Sequence, residues 1–142
     1  MTVAAILSNK GGSVVTATPT TTLQEISATL TQHKIGAIVT VEPDGSVCGI
    51  ASERDVVRQI ADKGPDALNM PVSSCMTKTV IACKTSDTID HVMGIMSTKK
   101  FRHMPVIEDG KLLGIISIGD VVKRKIESAE REAEELKQYI AG

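Results

Sequence analysis

One nine-residue phrase occurs twice in this chain, and the duplication restricts the folds open to it. Residues 49–57 read Gly-Ile-Ala-Ser-Glu-Arg-Asp-Val-Val and residues 114–122 read Gly-Ile-Ile-Ser-Ile-Gly-Asp-Val-Val, identical at six of nine positions. The Ser-x-x-Asp core, Ser52/Asp55 and Ser117/Asp120, is intact in both copies. The likeness continues upstream. Val14-Val15 and Thr22-Leu23 match Val80-Ile81 and Thr88-Ile89 at an offset of 66, which falls to 65 at the later phrase, so the first copy carries one extra residue. A unit repeated over this length is a supersecondary module, and one copy alone would struggle to bury its apolar face. Function is therefore to be sought where the two copies meet.

Each copy reads as β-α-β-β-α. In the first, Val14-Val15 is an apolar strand pair followed by the Thr/Pro turn Thr16–Thr22. Leu23, Ile26 and Leu30 then fall on one helical face, with Thr21 and Gln24 spaced as a capping box. Ala37–Val41 and the run from Val47 are rich in β-branched residues and flank Glu42-Pro43-Asp44-Gly45, so they form a hairpin. Ser52 opens a helix that stops near Lys63-Gly64-Pro65. The second copy repeats the order. Val80-Ile81 is a strand, and Ile89, Val92, Met93 and Met96 mark a helix capped by Asp87. Met104–Ile107 and Leu112–Ser117 flank the turn Asp109-Gly110. Val3–Leu7 resembles Val72–Met76, so both copies begin with a short lead-in. The expected division is a first repeat with its lead-in over 1–66, a second repeat with linker over 67–124, and a helical extension over 125–142.

That extension has a narrow apolar stripe. Val122, Ile126, Ala129, Ala133, Leu136 and Ile140 recur at steps of 4, 3, 4, 3 and 4 among charged residues. Such a seam suits either packing on the same chain or pairing with a partner helix, and its narrowness favours the partner.

Composition removes several classes of function. The formal net charge is −1, with Lys and Arg scattered, which argues against broad binding to nucleic acid. The core must be aliphatic, because the chain has one Phe, one Tyr and no Trp. There is no apolar run of the roughly 18 residues that a membrane span needs. No export signal is visible at the N-terminus. Cys48, Cys75 and Cys83 form no Cys-x-x-Cys pair, and an odd count suits reduced thiols. The expectation is a soluble, cytoplasmic protein. His33, His91 and His103 show no ligand spacing with the cysteines, so no metal site is expected. Neither Ser52 nor Ser117 has an assignable base, so no catalytic residue is expected.

The two Ser-x-x-Asp motifs sit where a strand hands over to a helix. A serine N-cap with an aspartate at N3 accounts for one such motif by capping alone. Two copies at equivalent places, each after Gly-Ile, favour something more. A carboxylate accepts hydrogen bonds from both hydroxyls of a cis-diol such as ribose, and the adjoining helix N-terminus offers free N–H groups to an anion.

The paired Gly-Ile-x-Ser-x-x-Asp phrases, the segment Phe101-Arg102-His103-Met104-Pro105-Val106 and the lead-in Cys75-Met76-Thr77 resemble the cystathionine-β-synthase (CBS) domain pair. The resemblance spans about residues 3 to 124 and is nearest to small stand-alone bacterial CBS-pair proteins. It implies an α/β fold of tandem β-α-β-β-α repeats packed with pseudo-twofold symmetry, followed by a long C-terminal helix. It implies a homodimer and two clefts for AMP, ADP, ATP, NAD(H) or another adenosine compound, serving a regulatory role towards an unknown protein.

Carried onto this chain, the resemblance assigns ribose hydroxyls to Asp55 and Asp120, with Ser52 and Ser117 beside them. Thr16, Thr18, Ala82 and Lys84 would border adenine, and Ile35, Gly36, Ala37, Met104 and Pro105 would line the clefts. Lys10, Arg54, Arg102 and His103 would meet phosphates. The copies differ in charge: Arg54 in the first is matched by Gly119, and Arg102-His103 in the second by Gly36-Ala37. Inequivalent clefts are therefore expected.

Overall fold

The computed structural model describes residues 1–11 and 14–141. Its helices are α1 (Val3–Lys10), α2 (Leu23–His33), α3 (Glu53–Lys63), α4 (Ile89–Lys99) and α5 (Ile118–Ala141). Its strands are β1 (Thr16–Ala17), β2 (Ala37–Val41), β3 (Val47–Ser52), β4 (His103–Glu108) and β5 (Lys111–Ser117). Gly142, at the end of the expected extension, lies outside the described residues. In the first half β1 runs parallel to β2, and β2 antiparallel to β3. The second half holds the β4–β5 hairpin, with Cys83 bridging Val106 in parallel where β1 stands in the first. Each hairpin has a register shift at the equivalent place, Thr40/Val41 and Val106/Ile107. The extra residue of the first copy falls in its hairpin turn. Five residues separate β2 from β3, whereas Asp109 and Gly110, both at positive φ, close β4 onto β5.

Three local expectations need correction. The first strands lie downstream of Val14-Val15 and Val80-Ile81, at Thr16–Ala17 and at the single bridge of Cys83. A β-branched pair makes a strand only where a neighbour offers a ladder, and β2 and β4 offer theirs further along. The cap of α2 is Thr22, whose hydroxyl accepts from Glu25 N at 3.2 Å; the Thr21 hydroxyl instead pairs with Thr18. The cap of α4 is Thr88, accepting from His91 N at 3.1 Å, while Asp87 accepts from Lys84 N at 2.8 Å.

The two cores are built across the chain order. Val3 and Ile6 of α1 join Ile89, Val92, Met104, Val106, Ile116 and Val121 of the second half. Val72 of the linker joins Leu23, Ile26, Leu30, Ile38, Ala51 and Val56 of the first, with Met70, Cys75 and Met76 packed against them. Backbone bonds fix both exchanges. Val3 N donates to Asp87 O (2.9 Å) and Ala4 N to Thr85 O (3.0 Å), while Leu23 N donates to Met70 O (2.9 Å) and Val72 N to Thr21 O (2.7 Å). Two glycines make room for the lead-ins. A Cβ on Gly49 would stand 2.6 Å from Met76 Sδ, and a Cβ on Gly114 would stand 2.6 Å from Leu7 Cδ2. The cysteines follow this packing, with Cys83 buried and Cys48 and Cys75 half-buried. All three are free thiols, and burial, helped by nearby Asp87, pushes the Cys83 thiol up to about 12.

Candidate functional site

A cleft of about 390 Å³ opens between the halves. The first half contributes Gly36 and Ala37 at the start of β2 and Ser52, Glu53, Arg54, Asp55 and Arg58 at the head of α3. The second half contributes Lys100, Phe101, Arg102 and His103 from the turn into β4, and Ile118 from the start of α5. Ile50 and Thr77 complete the lining. The strand-to-helix junction at Ser52 places these groups. Ser52 is the N-cap of α3, and with Asp55 it forms a reciprocal capping box: Ser52 N donates to Asp55 Oδ2 at 2.8 Å, and Asp55 N to Ser52 Oγ at 3.4 Å. Asp55 Oδ1 has a looser partner, Arg58 at 3.6 Å, whose side chain is 74% exposed. Capping therefore occupies one carboxylate oxygen and leaves the other available to a ligand.

Charge in the cleft is unbalanced. Arg54, Arg58, Lys100 and Arg102 face it against Glu53 and Asp55. Low-dielectric walls concentrate the field of such a set, so the cleft favours anions. His103 closes one side. A Cβ on Gly36 would stand 3.1 Å from His103 Nε2, so the ring of the second half lies directly on first-half backbone. Burial holds the His103 pKa below its ordinary 6.5; nearby Glu53 opposes that shift, and Lys10 and Arg102 add to it.

The Ser117/Asp120 junction repeats the capping box, with Ser117 N donating to Asp120 Oδ2 at 2.9 Å and Asp120 N to Ser117 Oγ at 3.1 Å. The same Asp120 Oδ2 accepts from Lys10 Nζ at 2.8 Å. Burial would raise the Asp120 carboxyl, but the hydrogen bonds from Lys10 and Ser117 outweigh it and hold the group below the usual range.

Both halves of the chain match the CBS domain family model, over residues 4–62 and 72–127. The chain belongs to the CBS domain family. It is similar to the mitochondrial CBS domain-containing protein CBSX3 of Arabidopsis thaliana, 32% identical over 99% of this chain and 72% of that protein. Other curated relatives are spanned over 63%, 65% and 76% of their length. Among solved structures, a CBS-domain containing protein from Agrobacterium tumefaciens superimposes with a TM-score of 0.85 at 47% identity, over 88% of this chain and 99% of that one. The CBS domain pair of protein MJ0100, solved in complex with 5′-methylthioadenosine and S-adenosyl-L-methionine, superimposes with a TM-score of 0.81 over 90% of this chain and 98% of that one. At 23% identity, that likeness carries the fold alone.

Seven of the expected site residues meet in the inter-repeat cleft of this CBS pair: Gly36, Ala37, Ser52, Arg54, Asp55, Arg102 and His103. Others lie elsewhere. Ile35 lines a separate groove between α2 and α3. Met104 and Pro105 are buried, Met104 fully and within the second core. Thr16, Thr18, Ala82 and Lys84 are exposed on the first-strand segments and outside the cleft. Lys10, Ser117 and Asp120 cluster apart from it. Arg58 and Lys100 escaped the sequence reading. Arg58 was legible as the residue one helical turn after Arg54. Lys100, the left-handed C-cap of α4 at φ 59°, was legible only as the residue before Phe101. Among the described residues no cluster of His, Cys, Asp or Glu has the makings of a metal site, and no helix is long and apolar enough to cross a membrane.

Proposed function

We propose that this CBS pair is a regulatory module that binds an adenosine phosphate in its inter-repeat cleft and has no reaction of its own. The observation that carries the reading is the convergence of Asp55 from one half with Arg102 and His103 from the other around a cation-rich cleft. Asp55 Oδ1 accepts the ribose hydroxyls, Phe101 offers a phenyl face to a purine, and Arg54, Arg58, Lys100 and Arg102 meet phosphate. The cleft volume of about 390 Å³ lies within the range of small-molecule sites. AMP, ADP, ATP and NAD(H) all satisfy this chemistry. A ligand that touches both halves favours one relative orientation of them. Because α5 begins at the second Ser-x-x-Asp motif and runs to Ala141, it carries that change outward.

The partner on that outward side is a second copy of the chain. Val57 on α3 and Val122 on α5 are exposed apolar residues at equivalent places in the two halves, Ile60 and Ile126 follow them about one turn on, and Leu136 and Ile140 extend the stripe. The chain so paired acts on a further protein within the cytoplasm. Thermal denaturation with AMP, ATP and NAD tests the ligand reading. A ligand at 100 times its Kd stabilises by about 2.7 kcal/mol, and Asp55→Asn lowers affinity by about tenfold or more. Absence of a shift with every adenosine compound returns the protein to a dimeric adaptor with idle clefts. Unchanged hydrogen exchange over residues 121–140 at saturating nucleotide removes the relay.

A further inference from the structure

The two Ser-x-x-Asp junctions share the same reciprocal capping bonds and differ in what reaches the carboxylate and the carbonyl five residues before it. Gly49 and Gly114 each receive a lead-in side chain, Met76 and Leu7, so the lead-ins superimpose at an offset of 69. In the first half, the carbonyl of Ile50 accepts from the backbone N–H of Thr77 at 2.9 Å. In the second, the equivalent carbonyl of Ile115 accepts from the side chain of Lys10, Nζ to O 2.9 Å. The same ammonium reaches Asp120 Oδ2 at 2.8 Å. The residue at the corresponding place in the other lead-in is Thr79, which has no charge to offer. Lys10 ends α1, and the helix stops at Gly11 with φ 86°, so the ammonium is delivered where the last turn points.

We infer that Lys10 is a built-in competitor for the second ligand site. Its ammonium bonds the capping oxygen Oδ2 of the carboxylate on which a ribose diol would bind, whereas Oδ2 of the equivalent Asp55 accepts only from Ser52 among the described residues and its Oδ1 has Arg58 at 3.6 Å. A neutral diol that takes both oxygens of Asp120 must displace a charge-assisted hydrogen bond at Oδ2. The ion pair is partly open to solvent, with side chains 39% and 26% exposed, so the contact weakens the site and does not abolish it. The protein therefore fills its Asp55 side first, and entry at Asp120 is coupled to release of the C-terminal turn of α1. This inference rests on the proposed ribose role of the two aspartates and adds to it an order of filling.

Adenosine is the probe, because it has the diol and no phosphate to attract Lys10. Its titration into the full chain is followed by NMR at the backbone amides of Ser52 and Ser117, one reporter for each site. The wild-type protein is expected to bind more weakly at Ser117 than at Ser52. Lys10→Gln is expected to tighten the Ser117 site by about fivefold, the factor by which a closed conformer of that stability depresses apparent affinity, and to leave Ser52 unmoved. Lys10→Arg, which keeps a cation, is expected to retain the weak second site. An Ser117 affinity unchanged or lowered in Lys10→Gln, with Ser52 still responding, overturns the competitor alone. Silence at both amides in every variant overturns the ribose reading and the competitor with it. The ligand-free protein supplies a separate readout: Lys10→Gln raises the Asp120 carboxyl titration, and an unmoved titration also overturns the inference.

Discussion

The first and second halves share a fold and differ in how each is closed. The first half has a two-residue β1 on its sheet, a five-residue hairpin turn and a buried Thr40. The second has a single bridge at Cys83, a tight turn at Asp109-Gly110 and Val106 in the place of Thr40. Its carboxylate is bonded to Lys10, whereas that of the first half lines the inter-repeat cleft. Once duplicated, a Ser-x-x-Asp junction keeps its backbone geometry because caps and turns are local, and its surroundings then drift with whatever side chain the rest of the chain delivers.

Cavity-forming substitutions test whether the halves are energetically separate. Leu23 and Ile89 are equivalent core residues, 0% and 3% exposed, and Leu23→Ala and Ile89→Ala are each expected to cost about 2–5 kcal/mol. Because the lead-ins are exchanged, both variants should show one urea transition; two resolved transitions in either would break the picture of a single cooperative unit.

The glycines sharpen the comparison at smaller cost. A Cβ on Gly49 would meet three atoms of Met76 at 3.0 Å or less, while one on Gly114 would meet only the end of Leu7 that closely. Gly49→Ala should destabilise by about 1–3 kcal/mol and Gly114→Ala by less, as read from denaturation midpoints. Thr40 reverses the sign. Its buried hydroxyl has only sulfur partners, Cys48 Sγ at 3.3 Å and Met76 Sδ at 3.2 Å. Thr40→Val, which installs the second half's residue, should stabilise by about 1 kcal/mol.

The smallest effect is in pH. Burial holds the His103 pKa below its ordinary 6.5 in the folded chain, so the unfolded chain takes up a proton more readily. Stability should therefore fall as pH drops below about 6.5, and His103→Gln should flatten that slope. Nucleotide affinity should move the opposite way, because phosphate favours protonated His103. A phosphate affinity indifferent to pH between 5.5 and 7.5, values chosen to bracket roughly the ordinary histidine range, would remove His103 from the phosphate set.

Much of this molecule was legible in its sequence, because the signals are short-range. The repeat, both hairpins, the Ser52 and Ser117 caps and the periodicity of α2, α3, α4 and α5 depend on neighbours a few residues away. The misplaced strands at Val14-Val15 and Val80-Ile81 failed for the converse reason: a strand exists only where a partner lies beside it. Seven residues that line the cleft could be named in advance, because the duplicated phrase marks Ser52, Arg54 and Asp55, and the segment at Arg102-His103 marks itself and its counterpart Gly36-Ala37. Met104 could not be told from a cleft residue, since an apolar strand position reads the same whether it faces a core or a ligand.

The amino-acid order by itself determined two α/β repeats, an aliphatic core and a pair of capped carboxylates. The fold decided which lead-in serves which core and which carboxylate meets a lysine. The Lys10–Asp120 pair joins residues 110 apart, and no local pattern encodes a contact that exists only after α1 has crossed to the far half. Side-chain charge is written in sequence, but what it meets is set by packing.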